Sequence, residues 1–86
     1  MTALQPEHTR PVLRGYIIGS LLGNREIADD ENLLLSGLLD SLAVMSLVTF
    51  TEQEFGLKIP FEDVVIENFE TIEAIAGYLE TRAPDA

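Results

Sequence analysis

Asp40, Ser41 and Leu42 are the residues with the clearest potential for chemistry, and they lie where a long loop is predicted to meet a helix. A serine hydroxyl at an exposed helix start is a good attachment point, because a phosphate there meets unpaired backbone N–H groups and the positive end of the helix dipole. The same residues also have a purely structural interpretation, in which Ser41 caps the helix and Asp40 adds negative charge. Spacing alone favours the structural interpretation, so other features of the chain must decide.

Few other side chains could perform chemistry by themselves. The chain contains no Cys, which excludes disulfides, a thiolate nucleophile and thiolate metal ligands. His8 is the single histidine, so a Ser-His-Asp triad or a multi-His metal site is hard to assemble. No metal site is predicted, since the acidic run 29–31 lacks the spacing and the glycine of a calcium loop. The sequence therefore predicts a protein that is not an enzyme.

Length and charge restrict the classes of partner. The 86 residues suit one domain, and the formal net charge of −10 argues against binding nucleic acid or an anionic membrane surface. The acids are concentrated in residues 26–81 and follow a mildly basic segment over 1–25. Such a distribution fits either a solubility surface or an acidic face that steers basic partners. Without a membrane-length apolar run or a secretory signal, the chain is expected to be cytoplasmic.

The apolar residues recur with helical spacing wherever a period is clear. This spacing predicts a first helix over 12–21 that begins after Thr9 or His8. Gly15 and Gly19 fall inside this helix, and we expect them to allow close packing against a neighbouring helix. Two further helices follow a long connection, and they are predicted from their own caps and apolar positions.

The connection covers residues 23–39, and its leucines at 33–35 are expected to fold back over the core. A second helix is predicted from Ser41 to Phe55, with Gly56 as its left-handed end. The inward positions of that helix are predicted to be Val44, Leu47, Val48, Thr51 and Phe55.

The C-terminal third predicts a short element and a last helix. Pro60 opens a short turn or helix over 61–65, and Asn68 and Phe69 then form a connection. Thr71 caps the last helix, whose inward positions are Ile72, Ile75, Ala76 and Leu79. The prediction is an all-α bundle of three main helices plus one short helix, with a long loop between the first two helices. Residues 1–86 form one domain with loose ends at 1–8 and 83–86.

Three motifs together resemble the acyl carrier protein family: GLLDSL at 37–42, FGLKIP at 55–60 and ENFETI at 67–72. The likeness extends over nearly the whole chain and is weakest before Val12. It implies that Ser41 is esterified by 4′-phosphopantetheine and that Asp40 helps the phosphopantetheinyl transferase through its magnesium ion. The thiol at the end of this arm would carry an acyl or aminoacyl group as a thioester, so the reactive sulfur would come from the cofactor.

The resemblance also implies protein partners. These are a phosphopantetheinyl transferase, an acyl- or aminoacyl-loading enzyme and a downstream synthase or transferase. Leu42 and Met45 would form the apolar patch that these enzymes contact. Because the second helix is neutral beside this patch, electrostatic docking is expected to depend on four acidic residues, Asp40, Glu62, Asp63 and Glu67. The protein is expected to act as a monomer.

Leu38 occupies a position where the common fatty-acid carriers have glycine. The resulting Leu-Leu-Asp-Ser form is more similar to stand-alone carriers of specialised pathways, such as polyketide or nonribosomal peptide biosynthesis. A housekeeping carrier of fatty acid synthesis is the alternative within the family. An acidic helical adaptor that acts only by protein binding is the alternative from another class, and it would not need the hydroxyl of Ser41.

Overall fold

The structure is a computed structural model that describes residues 6–82. Its elements are α1 (Pro6–Tyr16), a π-helical turn (Ile17–Leu21), α2 (Ser41–Phe55), a 3-10 turn (Phe61–Asp63), α3 (Ile66–Phe69) and α4 (Ile72–Thr81). No strand occurs within residues 6–82. The predicted all-α bundle, with three main helices, one short helix and a long first loop, is confirmed.

The first helix begins earlier than predicted. It starts at Pro6 and not after Thr9 or His8. Proline is favoured in a first turn because its missing N–H would have no partner there, and Glu7 adds favourable negative charge at the same end. Residues 6–8 therefore belong to the helix, although they were expected to be loose. The expectations for 1–5 and 83–86 lie outside the described residues.

The predicted close packing at Gly15 and Gly19 is wrong. A side-chain carbon built on Gly15 would meet nothing within 4 Å, and one on Gly19 would meet only Asn24 Oδ1, at 3.9 Å. Gly19 lies instead in the π-helical turn Ile17–Leu21, which closes where the Leu22 amide donates to the carbonyl of Ile17 at 3.0 Å. The two glycines thus mark no helix contact.

The long loop is bonded to the start of α4. The amide of Leu33 donates to the carbonyl of Glu70 at 2.6 Å, and the amide of Glu73 donates to the carbonyl of Asp29 at 3.0 Å. Glu73 lies in the first turn of α4, where amides have no intrahelical acceptor. The loop supplies that acceptor. Leu33 has no exposed surface, whereas Leu35 is 81% exposed, so only part of the predicted leucine run covers the core.

Arg14 of α1 holds the same loop from the other side. Its guanidinium donates to Asp29 Oδ1 at 2.6 Å, to Glu26 Oε1 at 3.2 Å and to the carbonyl of Ile27. A planar group with several donors suits such a set of acceptors. The loop therefore reaches α2 with its path fixed by α1 and α4.

The second helix matches its prediction at both ends. Gly56 follows Phe55 with φ 66° and ψ 39°, a left-handed conformation that glycine adopts without a side-chain clash. Of the predicted inward positions, four are buried, namely Leu47, Val48, Thr51 and Phe55. Val44 is only half-buried, because it lines a groove on the surface.

The predicted short element is present, and a further short helix follows it. Residues Phe61–Asp63 form a 3-10 turn within the predicted range 61–65. Asn68 and Phe69 belong to α3, whereas a plain connection was expected there. Burial explains this difference, since Phe69 is only 1% exposed and the helical turn directs its ring into the core. α4 then begins as predicted, with Thr71 Oγ1 accepting from the amide of Ala74 at 2.9 Å.

One apolar cluster unites the four helices and the long loop. The predicted inward positions of α4 are all buried in it. Each fully buried aliphatic or aromatic side chain contributes roughly 1.5–3 kcal/mol to folding. The members are Leu13, Ile17, Ile27, Leu33, Leu39, Leu47, Val48, Phe55, Leu57, Ile59, Phe69, Ile72, Ile75, Ala76 and Leu79.

Candidate functional site

Asp40 caps α2, and the prediction that Ser41 does so is wrong. Asp40 has an extended backbone (φ −100°, ψ −176°), and its Oδ1 accepts from the amide of Ala43 at 2.8 Å. Its carbonyl accepts the first helical bond, from the amide of Val44 at 3.0 Å. Aspartate and serine are about equally good caps, so the two adjacent residues compete for one position. Because Asp40 takes that position, Ser41 becomes the first helical residue.

This arrangement leaves the side chain of Ser41 with no part in capping α2. The residue is exposed, and its hydroxyl has no hydrogen-bond partner within residues 6–82. The amides of Ser41 and Leu42 also have no acceptor in that part of the chain, as expected for a first helical turn. An exposed hydroxyl, two open N–H groups and the positive end of a fifteen-residue helix therefore meet at one point.

An apolar groove opens beside this hydroxyl, between α2 and the segment that contains α3. Its volume is about 500 Å³, which is within the usual range of small-molecule pockets. Asp40 and Ser41 are its polar lining residues. The rest of the lining is apolar and consists of Leu34, Leu39, Val44, Met45, Phe61, Val64, Val65, Ile66 and Phe69.

Large apolar side chains are exposed around the same point. Leu42 is 79% exposed and Met45 is 48% exposed, which places both predicted contact residues on the surface. The others within the described residues are Leu35, Phe61, Val65 and Ile66. Four of the six line the groove beside Ser41. A cluster of exposed apolar residues with a polar rim is typical of a binding surface.

The four acids predicted to steer partners have different environments. Glu62 and Glu67 are exposed, and Glu67 lies beside Val64, Val65 and Ile66. Asp40 is exposed but uses one oxygen as the helix cap. Asp63 is half-buried, and its Oδ2 accepts from the hydroxyl of Tyr78 at 2.6 Å. Within residues 6–82, the carboxylate of Asp63 therefore makes a hydrogen bond to the protein, unlike those of Glu62 and Glu67.

Burial raises the pKa of Tyr78 to about 12, with further contributions from the hydrogen bond to Asp63 and from the charge of that carboxylate. The phenol is thus neutral in the physiological range and stays a donor. Sequence reasoning missed this pair, because the two residues are fifteen positions apart on different elements. No local pattern signals such a contact.

The outer face of α2 carries no charge along the line of Leu42, Met45, Ser46, Thr49 and Gln53, all of which are exposed. Beside this face, the rings of Tyr16 and Phe50 stack with centroids 3.9 Å apart and an interplanar angle of 5°. The hydroxyl of Tyr16 also donates to the carbonyl of Ser46 at 3.4 Å. This stacked pair, which sequence reasoning did not find, supports the neutral face from the α1 side.

Two negative observations apply to residues 6–82. No three His, Asp or Glu residues in this range lie close enough together to hold a metal ion. Over the same range, no helix combines the length and the apolar character needed to cross a bilayer.

Comparison with known proteins agrees with this geometry. Residues 16–79 match the family model described as a phosphopantetheine attachment site. The chain belongs to the acyl carrier protein family. The chain is also 44% identical over 43 residues to an acyl carrier protein of Bdellovibrio bacteriovorus, a match that covers 50% of the chain and 53% of that relative. The chain thus matches about half the length of the curated relative.

Members of this family hold 4′-phosphopantetheine covalently, and that group is the cofactor of this protein. The start of α2 fits such a group. A phosphate ester needs an accessible hydroxyl, and its negative charge is stabilised by open amides at a helix N-terminus. Ser41 and Leu42 offer both features.

Proposed function

We propose that Ser41 carries 4′-phosphopantetheine and that the protein presents an acyl or aminoacyl group to partner enzymes. The exposed, unpartnered hydroxyl at the first residue of α2 is the observation that carries this proposal. When bound, the group supplies a terminal thiol that holds its cargo as a thioester. The protein contributes no reactive side chain of its own and acts by tethering, which raises the effective concentration of the cargo near its partners.

Asp40 has two roles in this proposal. Its Oδ1 fixes the first turn of α2 through the amide of Ala43. Its other oxygen has no partner within the described residues, so it is available to a magnesium ion that the transferase brings. Because Asp40 and not Ser41 serves as the cap, attachment at Ser41 removes no contact that the helix needs.

The proposed partners are the phosphopantetheinyl transferase, a loading enzyme and a downstream synthase or transferase. They would contact Leu42 and Met45, which are exposed next to Ser41. Glu62 and Glu67 would steer partners with basic surfaces, since both carboxylates face solvent. Asp63 would make fewer direct contacts with a partner, because it is half-buried and one of its carboxylate oxygens is bonded to Tyr78.

A specialised pathway, of the polyketide or nonribosomal peptide kind, is the favoured setting. The uncharged outer face of α2 supports it, together with Leu38 in place of a glycine. A carrier of fatty acid synthesis is the second candidate, and the apolar groove of about 500 Å³ beside Ser41 favours it. Intact mass spectrometry of the protein from its native host, with the thioester preserved, distinguishes the two by the cargo.

The attachment is tested with a broad-specificity phosphopantetheinyl transferase and coenzyme A, followed by intact mass measurement. The wild type should gain one phosphopantetheinyl group, and Ser41→Ala should gain none. Ser46→Ala is the matched control, because Ser46 is also an exposed serine of α2, and it should be modified like the wild type. An unmodified wild type would contradict the proposal and favour the acidic adaptor. Modification of Ser41→Ala would contradict the choice of residue.

A further inference from the structure

Several side chains in the wall of the groove opposite α2 are exposed. Phe61, Val65 and Ile66 line this wall, and they are 82%, 42% and 58% exposed. Their burial therefore contributes little to fixing the wall in place. Val64 is the member of this segment that packs against the core. Hydrogen bonds are therefore expected to add to the packing of Val64 in fixing the position of the wall.

Asp63 supplies those interactions. Its carboxylate accepts from the hydroxyl of Tyr78 on α4 at 2.6 Å. Its carbonyl accepts from Asn68 Nδ2 at 2.9 Å and from the amide of Val65 at 3.0 Å. One residue at the end of the 3-10 turn thus joins the groove wall to α3 and to α4.

The bond to Tyr78 has no substitute in the described part of the chain. Within residues 6–82, it is the only hydrogen bond that ties the segment 61–65 to α2 or α4. Its acceptor is a carboxylate, and hydrogen bonds to ionised groups are about twice as strong as neutral ones. Burial around Tyr78 keeps the phenol protonated, so the donor persists at physiological pH.

We infer that Tyr78 and Asp63 are positioning residues that hold the groove wall over 61–65 against the bundle and thereby control entry of an apolar cargo into the groove beside Ser41. The part that concerns cargo rests on the proposed attachment at Ser41. With the bond intact, the wall keeps its position across the groove from Val44 and Met45 of α2. Without it, the segment moves about its ends and the apolar lining opens to solvent.

Tyr78→Phe tests the inference, since it removes the hydroxyl and keeps the ring that packs on Phe69, with centroids 6.0 Å apart. Tyr16→Phe is the matched control, because it removes a hydroxyl bonded elsewhere, to the carbonyl of Ser46. Asp63→Asn keeps an acceptor oxygen for Tyr78. It should therefore resemble the wild type more closely than Asp63→Ala does.

The first measurement is amide hydrogen exchange on the unmodified protein, followed by NMR. In Tyr78→Phe, the amides of Val64, Val65 and Asn68 should exchange about tenfold faster, which corresponds to the loss of one charge-assisted hydrogen bond. The amides of Gly56 and Ala74, which close the end of α2 and the start of α4, should be unchanged. Unchanged exchange at the three wall amides overturns the inference. An equal acceleration at all five amides also overturns it, since that result indicates only a loss of global stability.

The second measurement uses carriers loaded from acetyl-coenzyme A and from octanoyl-coenzyme A by the transferase. Cleavage of the octanoyl thioester by hydroxylamine should be several-fold faster in Tyr78→Phe than in the wild type or Tyr16→Phe. Cleavage of the acetyl thioester should be equal in all three, because two carbons do not reach the groove lining. Equal octanoyl cleavage overturns the control of cargo entry. Failure of every variant to load counts against the attachment at Ser41, while hydrogen exchange still decides the role of the wall contact.

Discussion

Replacing Asp40 by alanine should destabilise the protein although the residue is exposed, because it removes the cap of α2. The lost contact is the bond from the amide of Ala43 to Asp40 Oδ1, at 2.8 Å. Loss of an N-cap costs about 0.5–2 kcal/mol. Water can replace the acceptor at this exposed site, so we expect a cost of about 1 kcal/mol. For a domain of this size, that cost lowers the melting temperature by about 4–8 °C.

Two variants make the measurement specific. Ser41→Ala should lower the melting temperature by no more than about 2–4 °C, since the hydroxyl has no partner within residues 6–82 and a change of about 0.5 kcal/mol or less is expected at such a site. Thr71→Ala removes the equivalent cap of α4, the bond from the amide of Ala74 at 2.9 Å, and should cost about as much as Asp40→Ala. Thermal unfolding followed by far-ultraviolet circular dichroism measures all three.

Loading by the transferase separates the two roles of Asp40. Asp40→Ala should be loaded more slowly than the wild type, whereas Thr71→Ala, with a similar loss of stability, should be loaded normally at a temperature where both are folded. The reasoning is refuted if Ser41→Ala melts as low as Asp40→Ala, because Ser41 would then be the cap. Equally slow loading of Thr71→Ala would show that the defect of Asp40→Ala comes from general destabilisation.

Three further expectations concern Tyr78, Arg14 and the exposed acids. Folding raises the pKa of Tyr78 from 10.0 to about 12. The neutral phenol is therefore favoured in the folded state, and its contribution to stability is fully present below pH 10 and is lost as the pH rises through about 12. The unfolding free energy should fall by about 1–2 kcal/mol more in the wild type than in Tyr78→Phe as pH rises from 10 to 12. Arg14→Met should cost about 1–3 kcal/mol in denaturant unfolding, and Arg14→Lys should recover only part because an ammonium lacks the planar donors. Glu62→Lys with Glu67→Lys should slow association with the transferase at low salt in stopped-flow measurements, and this effect should fade above about 0.1 M salt.

Local signals predicted the parts of the fold that depend on local chemistry. Gly56 ends α2 because the left-handed conformation favours glycine, and Thr71 caps α4 because its side chain reaches an amide three residues away. The competition between Asp40 and Ser41 could not be decided in the same way, since both residue types cap helices well. The outcome depends on which backbone is extended, and the path of the preceding loop fixes that.

The elements that escaped prediction depend on distant contacts. α3 has only four residues, too few to show a period, and it is stabilised by the burial of Phe69. The loop contacts of Arg14 join residues 12 to 15 positions apart, and the bond between Tyr78 and Asp63 joins residues 15 apart. Such pairs leave no periodic trace in one sequence. The candidate site residues could be named from the sequence because the motif that resembles the family is contiguous, whereas the groove beside them is assembled from separate segments.

The acidic composition has a structural component that the sequence did not reveal. Glu52 Oε2 accepts from the amide of Ile59 at 2.8 Å, and Glu70 Oε1 accepts from Asn32 Nδ2 at 3.0 Å. Asp29 and Asp63 are likewise bonded to other elements of the chain. Carboxylates used in this way organise the loops around the core, so these acids have a structural role in addition to their charge.

Neither a solubility surface nor a steering face accounts for all of these acids, because several of them hold the loops that position the start of α2. On the α3 side of Ser41, the exposed acids are Glu62 and Glu67. The outer face of α2, on the other side, is uncharged. A partner that binds over Ser41 would therefore meet an acidic border on one side and a neutral surface with Leu42 and Met45 on the other. We expect this asymmetry to orient the protein toward a partner whose basic residues lie along one edge of its binding surface.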